Sequence, residues 1–263
     1  MDDVQIKEMV RARYGGIAAA SETSCCAPAA SSCCGPEATS HDKARRMGYS
    51  EAELAAVPEG ANLGLGCGNP LAIAAMQPGE AVVDLGSGAG FDCFLAGKLV
   101  GETGRVVGVD MTHEMLKKAR DNADRVGATN VEFRLGELEH LPIADNTADV
   151  VISNCVINLV PDKQQVFREA FRVLKHGGRL AVSDIINTAP LSAELQSDPA
   201  LLCGCVAGAA PADRVQNWLA AAGFVDVRVT PNPESRELIK TWAPGRGIEN
   251  FVVAAALEGR KPA

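Results

Sequence analysis

The sequence predicts an α/β fold: a mostly parallel, doubly wound sheet with helices on both faces, closed at one edge by an antiparallel pair of strands. Three observations carry this. From Glu80 onward, short apolar runs alternate with stretches of helical period, the pattern of successive βα units. The first run, Val82-Val83-Asp84-Leu85, leads into Gly86-Ser87-Gly88-Ala89-Gly90, where residues without side chains let the backbone turn tightly into a helix and approach a ligand. The last two apolar runs, 225–229 and 251–256, have no long helix between them, so they pair antiparallel rather than through a crossover.

Taken in order, Val4, Met9, Val10 and Tyr14 recur at helical intervals and predict an amphipathic helix over 4–19 that stops near Gly15-Gly16. Residues 21–42, rich in Ser, Ala and Pro and carrying the pairs Cys25-Cys26 and Cys33-Cys34, offer nothing to build a core and read as a mobile loop. Ser50 with Glu53 three residues on is a capping box, so a short helix starts there and ends before Pro58. Strands are predicted at 81–85, 105–109, 131–135, 149–153 and 179–183, and helices at 90–100, 112–126, 163–174 and 212–222. The chain thus divides into a thiol-rich N-terminal arm, 1–60, and an α/β domain, 61–263. Within the domain the ligand-binding core is 76–185, a substrate-covering segment 187–215 and the C-terminal strands 224–258.

Composition narrows the function. A chain of 263 residues buries roughly 70–75 % of its unfolded surface, so core size is not limiting. A formal charge of −8 with no Lys/Arg block argues against a nucleic-acid partner, whose phosphates need a basic surface. The acidic start Met1-Asp2-Asp3-Val4 is unlike a secretory signal, and no apolar run approaches the roughly 20 residues that span a bilayer, so a cytoplasmic, membrane-free monomer is expected. In a reducing compartment nine cysteines, an odd number, point to metal binding, catalysis or burial rather than disulfides.

Open parallel sheets bind ligands beyond the carboxyl ends of their strands. After the first strand comes Asp84-x-Gly86-x-Gly88-x-Gly90, with Ser87 inside the turn. Dinucleotide folds favour Gly-x-Gly-x-x-Gly instead, and an acid beside the turn suits a cationic ligand better than a phosphate. Asp110, followed by Met111, ends the second strand, where a carboxylate accepts ribose hydroxyls. The spacing resembles the first motif of the class I S-adenosylmethionine-dependent methyltransferases. That resemblance implies S-adenosyl-L-methionine as cofactor, with Glu137 and Leu138 beyond the third strand at the adenine and Asn154 beyond the fourth at the methionine end.

Methyl transfer to oxygen or nitrogen usually needs a general base, and of the four histidines only His140 lies beyond a strand, where a solvated loop accounts for it better than a catalytic role. What converges on the cleft is sulfur: Cys67 in a glycine-dense loop, Cys155 directly after the central strand, and Cys205 on the covering segment, with Cys203 two residues away as a competitor. Each alone reads as a small buried hydrophobe, and Cys93 on the inner helix as core packing. Three thiolates together suit a thiophilic centre; zinc wants a fourth ligand, whereas trivalent arsenic takes three and keeps a lone pair.

Leu63-Gly64-Leu65-Gly66-Cys67-Gly68-Asn69-Pro70, Ser153-Asn154-Cys155-Val156-Ile157-Asn158-Leu159 and Gly204-Cys205-Val206-Ala207-Gly208-Ala209 closely resemble motifs of the arsenite methyltransferases, and the likeness extends over nearly the whole chain. It implies that Cys67, Cys155 and Cys205 bind arsenic(III), supplied as arsenite or its thiol adducts, in arsenic detoxification. It also implies that an N-terminal cysteine, Cys34 or else Cys33, serves redox turnover, with thioredoxin or glutathione as external reductant. The alternatives are a quinone-type C-methyltransferase, and a thiol-rich metalloid-binding protein without turnover.

Overall fold

The computed structural model describes residues 1–20 and 39–263. Helix α1 (Asp3–Ala20) is followed by α2 (Ser40–Arg46), α3 (Glu51–Ala56) and α4 (Leu71–Ala74). The sheet region then runs β1 (Ala81–Leu85), α5 (Phe91–Val100), β2 (Arg105–Asp110), α6 (His113–Val126), β3 (Val131–Leu135), β4 (Ala148–Asn154), α7 (Lys163–Val173) and β5 (Leu174–Asn187). After it come α8 (Ala193–Ser197), α9 (Pro199–Leu202), β6 (Ala210–Pro211), α10 (Ala212–Ala222), β7 (Val225–Asn232), α11 (Arg236–Ile239) and β8 (Val252–Arg260).

The strand order is β3-β2-β1-β4-β5-β8-β7, with β6 beside the end of β5. β1 to β5 are parallel, and β8 runs antiparallel to both β5 and β7, the closing arrangement that the late strands predict. Because β1 and β4 are the first and fourth strands and lie side by side, the chain reverses direction across the sheet between them. Ligands bind at such a switch point.

Both faces of the parallel strands are covered, which is why they read as continuous apolar runs instead of alternating ones. Val82, Val106, Val150 and Ile152 face α5 and α6 in one cluster, and Val83, Val107 and Val151 face α7 and α10 in another. A third cluster lies over the carboxyl ends of the strands. It joins Val10 of α1 to Leu195, Leu201 and Val206 of the covering segment and to Cys67, Cys203 and Cys205.

The structure departs from the sequence reading in several places. α1 does not stop at Gly15-Gly16 but continues to Ala20. A mid-helix glycine costs about 1 kcal/mol relative to alanine, and here packing recovers it: Gly15 lies against the Glu114 carboxylate of α6, and Val10 and Ala18 are buried. Residues 40–42, assigned to a loop, begin α2, where Thr39 and Asp42 form a capping box. The rest of that loop, with Cys25, Cys26, Cys33 and Cys34, lies outside the described residues. β5 spans Leu174–Asn187, longer at both ends than the predicted 179–183, so Asp184 sits inside it. Antiparallel pairing with β8, Asp184 opposite Ala255 and Asn187 opposite Val252, extends the strand.

Gly90 caps α5 at φ +91°, and a β-carbon there would come within 2.7 Å of Phe133 and 2.8 Å of Phe94. Overpacking of this kind costs about 1–3 kcal/mol. Gly90→Ala is therefore expected to lower the urea midpoint accordingly; an unchanged midpoint would show that α5 can shift to accept the methyl group.

Candidate active site

A cavity of about 340 Å³ opens beyond the carboxyl ends of β1, β2 and β4; Gly86 and Gly88 of the glycine motif lie on its wall together with Cys155, Cys203 and Cys205, while Cys67 is buried outside its lining. At one end, the turn after β1 crosses under β2: Gly86 and Ser87 donate their backbone N–H groups to Val109 O at 2.8 and 3.1 Å. Gly86 and Gly88 take φ +75° and +52°, and a β-carbon on Gly86 would lie 2.5 Å from Val156. At Gly86 the turn lacks both the backbone conformation and the space for a side chain, whereas at Gly88 the left-handed backbone alone disfavours one. Asp110 receives the N–H of Gly88 at 2.9 Å and that of Thr112 at 2.8 Å, which couples the first two strand ends.

Beneath this turn lie two buried carboxylates. Asp84 accepts a hydrogen bond from the Cys93 thiol at 3.2 Å, so Cys93 does more than pack. Asp92, on α5, accepts from Tyr49 Oη at 2.5 Å and from Asn154 Nδ2 at 3.2 Å. Burial, then repulsion from Asp92, raises Asp84 well above the usual carboxylate range. Burial raises Asp92 to about 6 against the pull of its two donors. Neither acid has a cationic side chain in salt-bridge range among the described residues, so both are placed to receive a cationic ligand. The Ser87 hydroxyl, buried on the same wall, has no hydrogen-bond partner. These features fit the sulfonium and ammonium charges of S-adenosylmethionine.

Of the residues expected at the adenine, Leu138 lines the cavity and Glu137 does not. Glu137 instead lines an adjoining cavity with Met111 and Thr112, where it pairs with Lys7 at 2.7 Å and Arg11 at 2.5 Å, and Lys7 also reaches Glu139 at 3.0 Å. These pairs lay α1 across the cofactor end, and no sequence motif signals them because the partners are about 130 residues apart. Met111 and Asn154 line the cavity as expected, and His140 is exposed.

At the other end Cys67 and Cys155 lie together with Asp184, and Cys205 adjoins Cys155. Cys155 follows β4 with φ +58° and Cys205 follows α9 with φ +62°, both in the left-handed region that non-glycine residues seldom occupy. The Cys205 thiol donates to the Cys155 carbonyl at 2.8 Å, and the Cys155 thiol lies within hydrogen-bonding reach of both Cys205 and Cys67. Cys67 Sγ, Cys155 Sγ and a carboxylate oxygen of Asp184 fall within 4.8 Å of one another. The neighbouring Cys205 and Cys67 thiols, then burial, push Cys155 well above the ordinary thiol range. Contact with Cys155 pulls Cys205 down, but burial and Asp184 outweigh it and the net shift is upward. Cys203 lines the same cavity as Cys155 and Cys205, and burial raises its thiol against the pull of Arg13. Tyr14 of α1 closes this end by donating to the Cys203 carbonyl at 3.1 Å.

Sequence reasoning missed Tyr49, Asp92 and Asp184 as members of the site. Asp92 sits one residue before Cys93, on the turn of α5 facing the glycine motif, and that position was the available signal.

Because its thiol is held protonated, Cys155 in the unliganded chain should react with iodoacetamide at a rate that climbs about tenfold per pH unit from 7 to 9. Site-resolved mass spectrometry would read this. A plateau below pH 8 would mean a thiol activated in the free protein.

Comparison with known proteins agrees with the geometry. The methyltransferase domain family matches residues 76–223. An arsenite methyltransferase from Halobacterium salinarum is 51% identical over 267 residues, covering 100% of this chain and 68% of that protein. The human arsenite methyltransferase is 46% identical over 137 residues, 49% of this chain and 36% of the human one. The crystal structure of an arsenic(III) S-adenosylmethionine methyltransferase from Chlamydomonas reinhardtii superposes with a TM-score of 0.63 at 32% identity, over 86% of this chain and 75% of that one. This chain thus spans about two thirds of the archaeal relative and about one third of the human one. With a class I α/β sheet, a cation-ready turn after β1 and thiols gathered at the switch point, the chain belongs to the arsenite methyltransferase family.

Proposed function

We propose that this chain transfers the methyl group of S-adenosylmethionine to trivalent arsenic held by Cys67, Cys155 and Cys205, so converting arsenite to methylated arsenic in detoxification. The observation that supports this is that Cys155, on the wall of the cavity that the glycine motif lines, has the Cys67 thiol on one side and Cys205 on the other. Asp84, Gly86, Ser87, Gly88, Gly90, Asp110, Met111 and Leu138 hold the cofactor in this reading, with Asp92 beside Asp84. Glu137 acts indirectly, through the Lys7 and Arg11 pairs that hold α1 in place.

S-adenosylmethionine supplies an electrophilic methyl group on a sulfonium. A thiol that binds arsenic gives its proton to the hydroxide or thiolate it displaces, so ligand exchange needs no separate base. Three As–S bonds leave the lone pair free. That pair forms the As–C bond while the C–S⁺ bond breaks and its electrons stay on sulfur, yielding a neutral thioether. No proton moves in this step, which accords with a cleft that offers no histidine base. Buried walls exclude water, and fixed thiols align arsenic with the methyl group; orientation and desolvation supply the rate.

Arsenic ends formally pentavalent. Two electrons return it to the trivalent state, taken from two cysteine thiols that close to a disulfide, which thioredoxin or glutathione then reduces by exchange. Cys34, with Cys33 next, is the proposed partner. Adjacent cysteines seldom pair with each other, their α-carbons at about 3.8 Å being closer than disulfides prefer, so a bridge from Cys34 to Cys67 is the arrangement expected.

Cys155→Ser should abolish arsenite methylation, read as methylated arsenic from labelled cofactor, while cofactor affinity stays within about twofold. Retained turnover would remove Cys155 from the site. Replacing Cys33 and Cys34 together should slow multiple turnover by about tenfold or more and leave the first turnover nearly unchanged. Equal loss in both regimes would argue against a redox role for the pair.

A further inference from the structure

Asn154 ends β4, one residue before Cys155, and the sequence reading gives it to the cofactor. Its carboxamide is otherwise engaged. Oδ1 accepts the Cys67 N–H at 3.0 Å, and Nδ2 donates to Gly68 O at 2.8 Å, to Tyr49 Oη at 3.1 Å and to Asp92 Oδ2 at 3.2 Å. Two amide hydrogens are therefore shared among three acceptors of the chain itself, and no donor is left over.

The loop that carries Cys67 is shaped to this side chain. Gly66 has φ +122°, and a β-carbon there would lie 2.9 Å from Asn154 Oδ1. A β-carbon on Gly68 would overlap the Ser183 hydroxyl of β5, and that same hydroxyl contacts Cys67 Sγ at 3.6 Å. Residues 66–68 thus lie directly on the ends of β4 and β5. Asn154 holds both sides of Cys67, its N–H and the next carbonyl, from the residue adjoining Cys155.

We propose that Asn154 is a positioning residue that sets the Cys67 thiol against Cys155, and not a contact to the cofactor. The inference rests on the arsenic–thiolate reading above and deepens it. Through Tyr49 and Asp92 the same carboxamide ties the thiol loop to the acid pair under the cofactor turn, so substrate and cofactor ends share one polar anchor. Misplacing one thiol by about 1 Å is enough to cost orders of magnitude in an oriented reaction.

The test follows alkylation of each cysteine by iodoacetamide over a range of arsenite concentrations, resolved by mass spectrometry, beside calorimetric titration with S-adenosylmethionine. Arsenite should protect Cys67, Cys155 and Cys205 in the unaltered chain. In Asn154→Ala the arsenite needed to protect Cys67 should rise by about tenfold or more, cofactor affinity should stay within about twofold, and kcat/KM for arsenite should fall as it does in Cys67→Ser. Tyr49→Phe keeps the ring and the carboxamide while removing one of its partners; a shift of about two- to threefold in the same direction is expected, and it carries the test if Asn154→Ala does not fold. Unchanged Cys67 protection in the variant that folds, or weakened cofactor binding with protection intact, would overturn the proposal. Absence of Cys67 protection in the unaltered chain would overturn the arsenic reading and this inference together.

Discussion

The Asp184 carboxylate lies in the interior, 2% exposed, and three donors meet it there: the N–H of Ile157 at 2.9 Å, the N–H of Ile185 at 2.7 Å and the side-chain amide of Asn158 at 2.9 Å. Asn158 also donates to the Ile185 carbonyl, and its own carbonyl lies so close to Gly208 that no β-carbon fits between them. One carboxylate in β5 thereby ties down the turn after β4 and, through Asn158, the covering segment. Those are the segments that carry Cys155 and Cys205. A non-glycine residue in the left-handed region costs of order 1–3 kcal/mol and persists only where its surroundings over-determine it. The Asp184 bonds, together with the Cys155 N–H to Ser183 O bond at 2.8 Å, provide that determination for the Cys155 turn.

The site is electrostatically divided. At the cofactor end, burial holds Asp84, Asp92 and Asp110 above their usual carboxylate range, and among the described residues no cationic side chain pairs with them. At the other end, contact with Cys205 and Cys67 and then burial raise the Cys155 thiol, and burial raises Cys205 against its contact with Cys155. An unliganded chain thus carries acids that favour a cation and thiols that favour a thiophilic atom able to take up their protons as its old ligands leave. Each preference follows from the same physical fact: charge is expensive in an interior of low dielectric unless a partner arrives with it. Cofactor and substrate supply the two partners.

α1 bridges the two ends. Its Lys7 and Arg11 pair with Glu137 and Glu139 beside the cofactor turn, and Tyr14, a turn and more along, meets the covering segment at Cys203. Partly exposed pairs contribute about 0–1 kcal/mol each, so burial of Val10 and Ala18 and the close seat of Gly15 on α6 do most of the holding. No helix among the described residues is long and apolar enough to cross a membrane.

Most of the sheet was legible because its signals are local. β1 to β4, α5, α6, α7 and α10 came within a residue or so of their observed limits from apolar runs and caps alone. Four-residue helices such as α4 and α11 were not legible, since a single turn has no periodicity to detect. The extra length of β5 was hidden because β8, some seventy residues on, creates it by pairing. At the site, residue type and position at a strand end pointed to Asp84, Asp110 and Cys155, a glycine-dense loop to Cys67 and the covering segment to Cys205. The sequence by itself therefore determined which elements form, where the ligand edge of the sheet lies and which chemistry its side chains can offer. Only the tertiary structure decided that the Cys205 thiol meets the Cys155 carbonyl, that Glu137 pairs with Lys7 and Arg11 of α1, that Asp84 has Asp92 beside it, and that Asn154 holds the Cys67 loop. Each of these depends on contacts between residues distant in the chain, and no local period or spacing encodes a distance across the fold.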